Sequence, residues 1–593
     1  MHILLLEDSP VISTLLTAQL ATMGHTVEAV ENGQQGFHKA TFRHYDLVIS
    51  DVVMPKWDGF KFMEAMLVIA PQCPIIVISS SLEEKMVRGR LSNFANVIGF
   101  LPKPVKPAKL EELLDRVKIH SNEKVRKLAR IVCTLGPASE SPDTLGRMVL
   151  AGMDIARLNF SHGTHEEHER RLLAVRAAEE EWSRPIAVLM DLCGPKIRTG
   201  PMENGAVKLA SGSTVIIQAE AVQGTAQRFS TIVPEILDDL RTGDPILLDD
   251  GLIELAVEKE GKSEVVCRVV VGGMLKSSKG INLPATPLSL PSVTEKDKRD
   301  LSWGMEHSVD FVALSFVRSA REILEVKELI SRGKRQIRVV AKIEKPEAVE
   351  NIGEIIAVSD AIMIARGDLG VELPASRVPR IQREIIKRCW QANIPVITAT
   401  QMLDSMTMNH RPTRAEVTDV SVAVRDGTDA VMLSGETAVG VDPVNVVRTM
   451  ASIVNEEERY TEPVEEQCEL LRAHKGFNPA LVAAASLGDA SVIMVLDLKG
   501  EIYRHLSKWN RSKPTLLVTN SVHVARHSCI YKNISPIIIR ENLSRDQTVM
   551  RAQEEAMQKG FLAKGDVLAV VEGARQTQGG IPQTGAFQLI QVE

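Results

Sequence analysis

The chain has 593 residues, 44% of them hydrophobic and 25% charged, with a formal net charge of −6. That length is too great for one core and implies several compact units. There is no apolar run of membrane-spanning length, no basic and apolar leader, and no basic stripe, so neither a membrane nor a nucleic acid is the expected partner and a cytoplasmic protein is expected.

Residues 1–120 carry four short apolar runs that each end in chemistry. Met1–Leu6 is followed by Glu7 and Asp8, Tyr45–Ser50 by Asp51, Pro74–Ile78 by Ser79, and Val97–Leu101 by Lys103 and Pro104. Such a pattern predicts an open α/β sheet with three carboxylates, a hydroxyl and a lysine at the carboxyl ends of its strands, where these sheets place their sites. The stretch resembles a response-regulator receiver domain of flavodoxin-like fold. The resemblance implies that Glu7, Asp8 and Asp51 bind magnesium. It also implies that Asp51, in Asp51-Val52-Val53-Met54-Pro55-Lys56-Trp57-Asp58-Gly59, accepts phosphate from a histidine kinase or phosphotransfer protein, contacted by Ser79 and Lys103, with Phe100 at the aromatic switch position. Receivers pass such a change to their last strand and helix, here about Lys106–His120, and the short linker Ser121–Arg126 would carry it onward.

Eight further apolar runs end in polar residues: Arg130–Gly136, Asp154–Ser161, Ile186–Gly194, Phe311–Phe316, Arg338–Glu344, Ala361–Gly367, Pro395–Gln401 and Ala430–Glu436. Helix-length stretches such as Ser319–Ser331 and Pro379–Ala392 separate most of them, which predicts a closed (β/α)₈ TIM barrel with its site at the carboxyl ends of the strands. Between Gly194 and Phe311 the rhythm changes to short alternating segments with Gly and Pro punctuation, a β-barrel lid domain inserted after the third strand. Two of the eight runs place Glu344 and Asp368 one βα unit apart, with Lys342 and Arg366 beside them. Two carboxylates suit a hard divalent cation, and the adjoining positive charge suits a substrate rich in phosphate or carboxylate oxygens.

From about Lys127 onward the chain resembles pyruvate kinase. The motifs that carry the resemblance are Ile131–Ser139, Ala156–Gly163, Lys342-Ile343-Glu344, Ala365–Gly370, Ala399-Thr400-Gln401-Met402 and Leu433–Thr437. It implies transfer of a phosphoryl group from phosphoenolpyruvate to ADP in glycolysis, Mg2+ or Mn2+ held by Glu344 and Asp368, and a phosphoryl site formed by Arg157, Arg198 and Lys342. Thr400 would lie near the enolate carbon, and Asn159, His162, Lys279, Gly367 and Asp368 would contact substrate or nucleotide. Asp249-Asp250-Gly251-Leu252-Ile253 matches a hinge-side motif of the lid. A homotetramer is the family's usual assembly. The alternative is a catalytically silent barrel serving the receiver as a scaffold.

One departure from the family pattern is informative. Potassium-dependent members carry Thr after the Asp of the third strand and Glu two residues before Arg, whereas here the run is Asp191-Leu192-Cys193-Gly194-Pro195-Lys196-Ile197-Arg198. The Lys196 ammonium takes the place of the ion's charge, so potassium is not expected to be required.

From about Glu456 a third α/β unit is expected, with strands at Ser491–Leu496, Pro514–Thr519, Ile534–Ile539 and Asp566–Val571. The family's sugar-phosphate loop would fall at Asp497-Leu498-Lys499-Gly500-Glu501, where two carboxylates oppose a phosphate. Seven cysteines without a Cys-x-x-Cys spacing indicate neither disulfides nor zinc, and Cys133 and Cys193 read as buried strand residues. His162–His168 reads as a capped helix start rather than a metal cluster. The expected units are 1–120, the barrel at 127–200 and 285–455, the lid at 201–284, and 456–593.

Overall fold

The computed structural model describes residues 1–70, 73–80, 90–91, 94, 96–114, 117, 127–333, 336–460, 490–497, 500, 502–509, 513–559, 561–572, 575–576, 582–583 and 586–592. The expected linker Ser121–Arg126 lies outside them. So do Leu498, Lys499 and Glu501 of the expected sugar-phosphate loop.

The amino-terminal sheet is five-stranded and parallel. Its order is Thr26–Val30, His2–Leu6, Leu47–Asp51, Ile75–Ser80, Val97–Lys103, the arrangement of a flavodoxin-like sheet. Fully buried β-branched and leucine residues such as Ile3, Ile49 and Ile76 explain why these segments are strands covered on both faces. The last helix is described over Pro107–Leu114, and residues 115–116 and 118–120 of the expected stretch lie outside the described residues.

The central unit is a closed barrel of eight parallel strands: Arg130–Thr134, Ile155–Asn159, Ala187–Asp191, Phe311–Leu314, Arg338–Ile343, Ala361–Ala365, Val396–Ala399 and Ala430–Leu433. Closure is made where Leu433 registers with Cys133. All eight expected runs are present. Each is shorter at its carboxyl end because the polar residues there leave the ladder and turn toward the site. Cys193 is in the loop after the third barrel strand and only half buried, not a strand residue as expected, whereas Cys133 is buried in its strand. Thr164 caps the helix His165–Glu181 through a reciprocal box with Glu167, which is the capped start read from sequence.

The insertion is a curled half-barrel rather than a closed one. Its six-stranded sheet runs from Arg228–Ser230 at one edge to Ile281–Asn282 at the other, with a two-stranded ribbon, Ala206–Leu209 with Gly273–Lys276, beside it. Asp249, Asp250 and Gly251 form the turn between two of its strands, with φ of 52°, 56° and 85°.

The carboxyl-terminal sheet has the order Ile534–Ile538, Thr515–Thr519, Val492–Leu496, Val567–Glu572, Ala586–Gln591, the last strand antiparallel. Its Tyr503 and Tyr531 pack in one cluster with barrel-lining residues such as Val340, Met363 and Ile397. Arg130 reinforces the contact by donating to Tyr531 O at 2.9 Å. Asp497 is the one carboxylate of the expected sugar-phosphate loop that lies among the described residues. It is 3% exposed and accepts from the amides of Gly500, Ile502 and Tyr503 at 2.8, 2.7 and 3.1 Å, so its charge is spent on backbone donors. Among the described residues no helix is long and apolar enough to cross a membrane.

Candidate active site

The barrel strands deliver their charged residues to one end. Lys342 projects from the strand Arg338–Ile343 and Glu344 follows it directly. The Lys342 ammonium lies 2.9 Å from Glu344 Oε1, 3.2 Å from Asp191 Oδ1, and donates to Ser315 Oγ at 2.7 Å. Arg157, on the second strand, donates to Asp191 Oδ2 at 2.7 Å and to Thr134 Oγ1 at 2.8 Å. Four strands are thus tied together by one charged network.

Arg157, Asp191, Ser315 and Glu344 are buried and Lys342 is largely so, and burial makes such charges expensive unless paired. Burial opposes the Lys342 charge, but Asp191 and Glu344 outweigh it and its pKa is raised. Burial likewise opposes ionisation of Asp191, but Lys342 and Arg157 hold its pKa below the usual carboxylate range. Glu344 behaves differently. Burial raises its pKa, and the charge of Asp368 adds to this against the pull of Lys342. A buried carboxylate whose ionisation is opposed by a second one beside it is what a hard divalent cation relieves, so Glu344 with Asp368 fits one.

Asp368 sits in the helix Arg366–Glu372, which starts where the strand Ala361–Ala365 ends. Arg366 fixes this corner by donating to Thr400 O at 2.8 Å and pairing with Asp419 at 2.7 Å. Gly367 N donates to Thr400 Oγ1 at 2.7 Å, and that hydroxyl donates to Ala399 O at 2.6 Å. Thr400 and Gln401 have φ of 66° and 53°. Left-handed backbone at a β-branched residue costs energy and persists only where its surroundings hold it, a pattern common at functional sites.

The insertion faces this end of the barrel. Lys196, Asp250, Asn282, Lys345, Asp368 and Glu372 line a cleft between the two. Glu372 joins them, accepting from Asn282 Nδ2 at 2.9 Å and from Lys345 Nζ at 2.7 Å. Lys279 pairs with Asp249 at 2.7 Å. His162 has a lowered pKa through burial and the charges of Arg198, Lys196 and Arg157, which places all four in one electropositive neighbourhood. Asn159 Oδ1 accepts from Ser161 N at 3.2 Å, shaping the loop that leads to His162. Leu192 is buried, and Lys196 is half-buried. The reading from sequence did not single out Asp191 as a counter-charge, and it missed Ser315, Glu372 and Asp419. Only Asp191 left a signal, a carboxylate ending a fully buried strand.

A second site lies in the amino-terminal sheet. Ligand atoms of Glu7, Asp8 and Asp51 lie within 4.8 Å of one another. Lys103 Nζ is 2.6 Å from both Glu7 and Asp51. Burial raises the Glu7 pKa, and in Lys103 the hydrogen bonds to Asp51 and Glu7 overcome burial and raise it as well. Ser79 is fully buried in the neighbouring strand, and Phe100 packs half-buried against the core.

Comparison with known proteins identifies the domains in which the two sites lie. A model of the pyruvate kinase barrel domain matches residues 126–447, one of the pyruvate kinase alpha/beta domain matches 479–583, and one of the response regulator receiver domain matches 3–115. Pyruvate kinases of Staphylococcus aureus strains USA300, COL and bovine RF122 are each 41% identical over 457 residues, covering 75% of this chain and 77% of the relative.

Proposed function

The chain belongs to the pyruvate kinase family, with a response-regulator receiver domain fused ahead of the barrel, and on that footing we propose that it makes pyruvate and ATP from phosphoenolpyruvate and ADP under control of the receiver. The observation that carries this reading is the Lys342 ammonium held between Asp191 and Glu344, within one hydrogen-bonded network with Arg157.

In this reading the bond from phosphorus to the enol oxygen breaks while one forms to a terminal oxygen of ADP. The enolate that is left takes a proton at carbon. Phosphoryl transfer demands little covalent chemistry of a protein, so the work is positioning and charge neutralisation. Lys342, Arg157 and Arg198 meet the charge of the transferring group. Glu344 and Asp368 hold Mg2+ or Mn2+, which when bound neutralises phosphate and carboxylate oxygens. Asn159, His162, Lys279 and Gly367 orient substrate and nucleotide, and Lys196 supplies the charge that potassium gives other members. The Thr400 hydroxyl now donates to Ala399 O, so it must rotate, or position a water, before a proton can reach the enolate.

The receiver reading rests on the Glu7, Asp8 and Asp51 cluster with Lys103 bridging two of its members. The cluster fits magnesium, Asp51 accepts the phosphoryl group from a histidine kinase or phosphotransfer protein, and Ser79, Phe100 and Lys103 respond. The assembly is a cytoplasmic homotetramer, as the family resemblance implies. The test is a coupled assay for pyruvate with the purified chain, phosphoenolpyruvate, ADP and Mg2+. Turnover that depends on both substrates is expected, and a chain that loads its receiver but makes no pyruvate would be a scaffold instead.

A further inference from the structure

The loop that leaves Asp51 touches the barrel. Asp51 Oδ1 accepts from Val52 N at 2.6 Å and Val53 N at 3.4 Å, and the same loop runs on to Trp57. It is tightly tied: Gly59 N donates to Val52 O at 2.8 Å, Gly33 N donates to Trp57 O at 3.1 Å, and Lys56 is held at a φ of 63°. A Cβ at Gly59 would stand 2.2 Å from Asp51 O, so backbone approaches backbone closely here. Trp57 therefore has little freedom to move without the backbone at Asp51.

Trp57 is 5% exposed and meets Trp182 of the barrel edge-on, with centroids 4.4 Å apart and planes at 83°. Phe37 packs against both rings, at 5.4 and 5.6 Å. Lys61 Nζ lies 5.0 and 5.4 Å from the two indole centroids and pairs with Glu181, and Gln34 Nε2 donates to Ser183 Oγ at 3.3 Å. Among the described residues, the hydrogen bonds joining the receiver to the rest of the chain come from Gln34, Lys39, Lys61 and Val68, on or beside its second and third helices.

Trp182 stands at a corner with mechanical reach. It ends the 17-residue helix His165–Glu181, ~25 Å long, whose other end adjoins His162. It also precedes the strand Ala187–Asp191, which ends at the carboxylate paired with Arg157 and Lys342. Both elements leaving the corner run to the catalytic face.

We propose that the receiver's output surface is the face formed by Trp57, Lys61, Phe37 and Gln34, and that its partner is the Glu181–Ser183 corner of the same chain's barrel. Phosphorylation of Asp51 is read there through Trp57, rather than through the last strand and the helix Pro107–Leu114. This rests on the reading that the receiver governs the kinase, and the test separates the two.

Phosphoenolpyruvate saturation curves are measured on the full chain, in Mg2+ throughout, with and without beryllofluoride, for wild type, Trp57→Leu and Lys61→Ala, with fluorine NMR confirming that each receiver is loaded. The mimic shifts half-saturation in wild type, and in both variants the shift falls to within about two-fold, below the roughly 5-fold lower edge of allosteric coupling. If Trp57→Leu does not fold, Lys61→Ala alone decides, because it removes an ion pair and a cation over two rings without opening the core. Variants that shift as wild type does overturn the output surface and leave receiver control standing. A loaded wild type that does not shift overturns both.

Discussion

At the scale of single residues, Lys342 carries the proposed chemistry, and removing its charge tests it. Lys342→Met keeps most of the side chain's volume, and loss of one preorganised electrostatic contact costs on the order of 10²–10³ in rate, to be read as kcat in a coupled assay. A variant as fast as wild type would remove Lys342 from the site. Lys196 predicts a second property: activity in tetramethylammonium buffer close to that in potassium. The double change Leu192→Thr with Lys196→Glu should create potassium dependence, because only the pair restores both hydroxyl and acid. Strong potassium activation of wild type would contradict the assignment. Lys342, Glu344 and Asp368 stand out in the sequence because they end short apolar runs in recognisable motifs. Ser315 does not, because its contact with Lys342 exists only once neighbouring strands pair around the closed barrel.

At the scale of elements, the eight barrel strands were legible from short β-branched runs, and their ends were overestimated. Gly136, Ser161 and Gly367 continue the apolar pattern's polar tail but lie in loops or the next helix. The lid's contact with the barrel was not legible, since it depends on Asn282, Lys345 and Glu372 meeting across units. Lys345 is 7% exposed and Glu372 4% exposed. Removing one partner of a buried ion pair leaves a charge uncompensated and costs about 3–5 kcal/mol. Glu372→Ala should therefore lower the urea midpoint of barrel unfolding markedly, while Glu372→Gln, which can still accept from both partners, should lower it less. Equal midpoints for wild type and Glu372→Ala would mean the link bears no load.

At the scale of the whole molecule, the order of units could be read from the sequence, but the seating of the receiver could not. The linker that joins it to the barrel lies outside the described residues, and among the described residues one contact that seats it is Trp57 against Trp182, an aromatic pair far apart in sequence and part of no periodic pattern. The receiver and barrel cores are continuous across this contact, Phe62 and Val52 on one side joining Leu145 and Val175 on the other in one buried cluster. A shared core of this kind is where a change at Asp51 can bias the barrel, and coupling between sites is typically ~1–3 kcal/mol. The most direct measurement is phosphoenolpyruvate saturation of the full chain with and without beryllofluoride, beside an Asp51→Ala control. The account predicts active enzyme whose apparent affinity changes by roughly 5- to 150-fold on loading, with the control unmoved. Superimposable wild-type curves from a receiver shown to be loaded would contradict it.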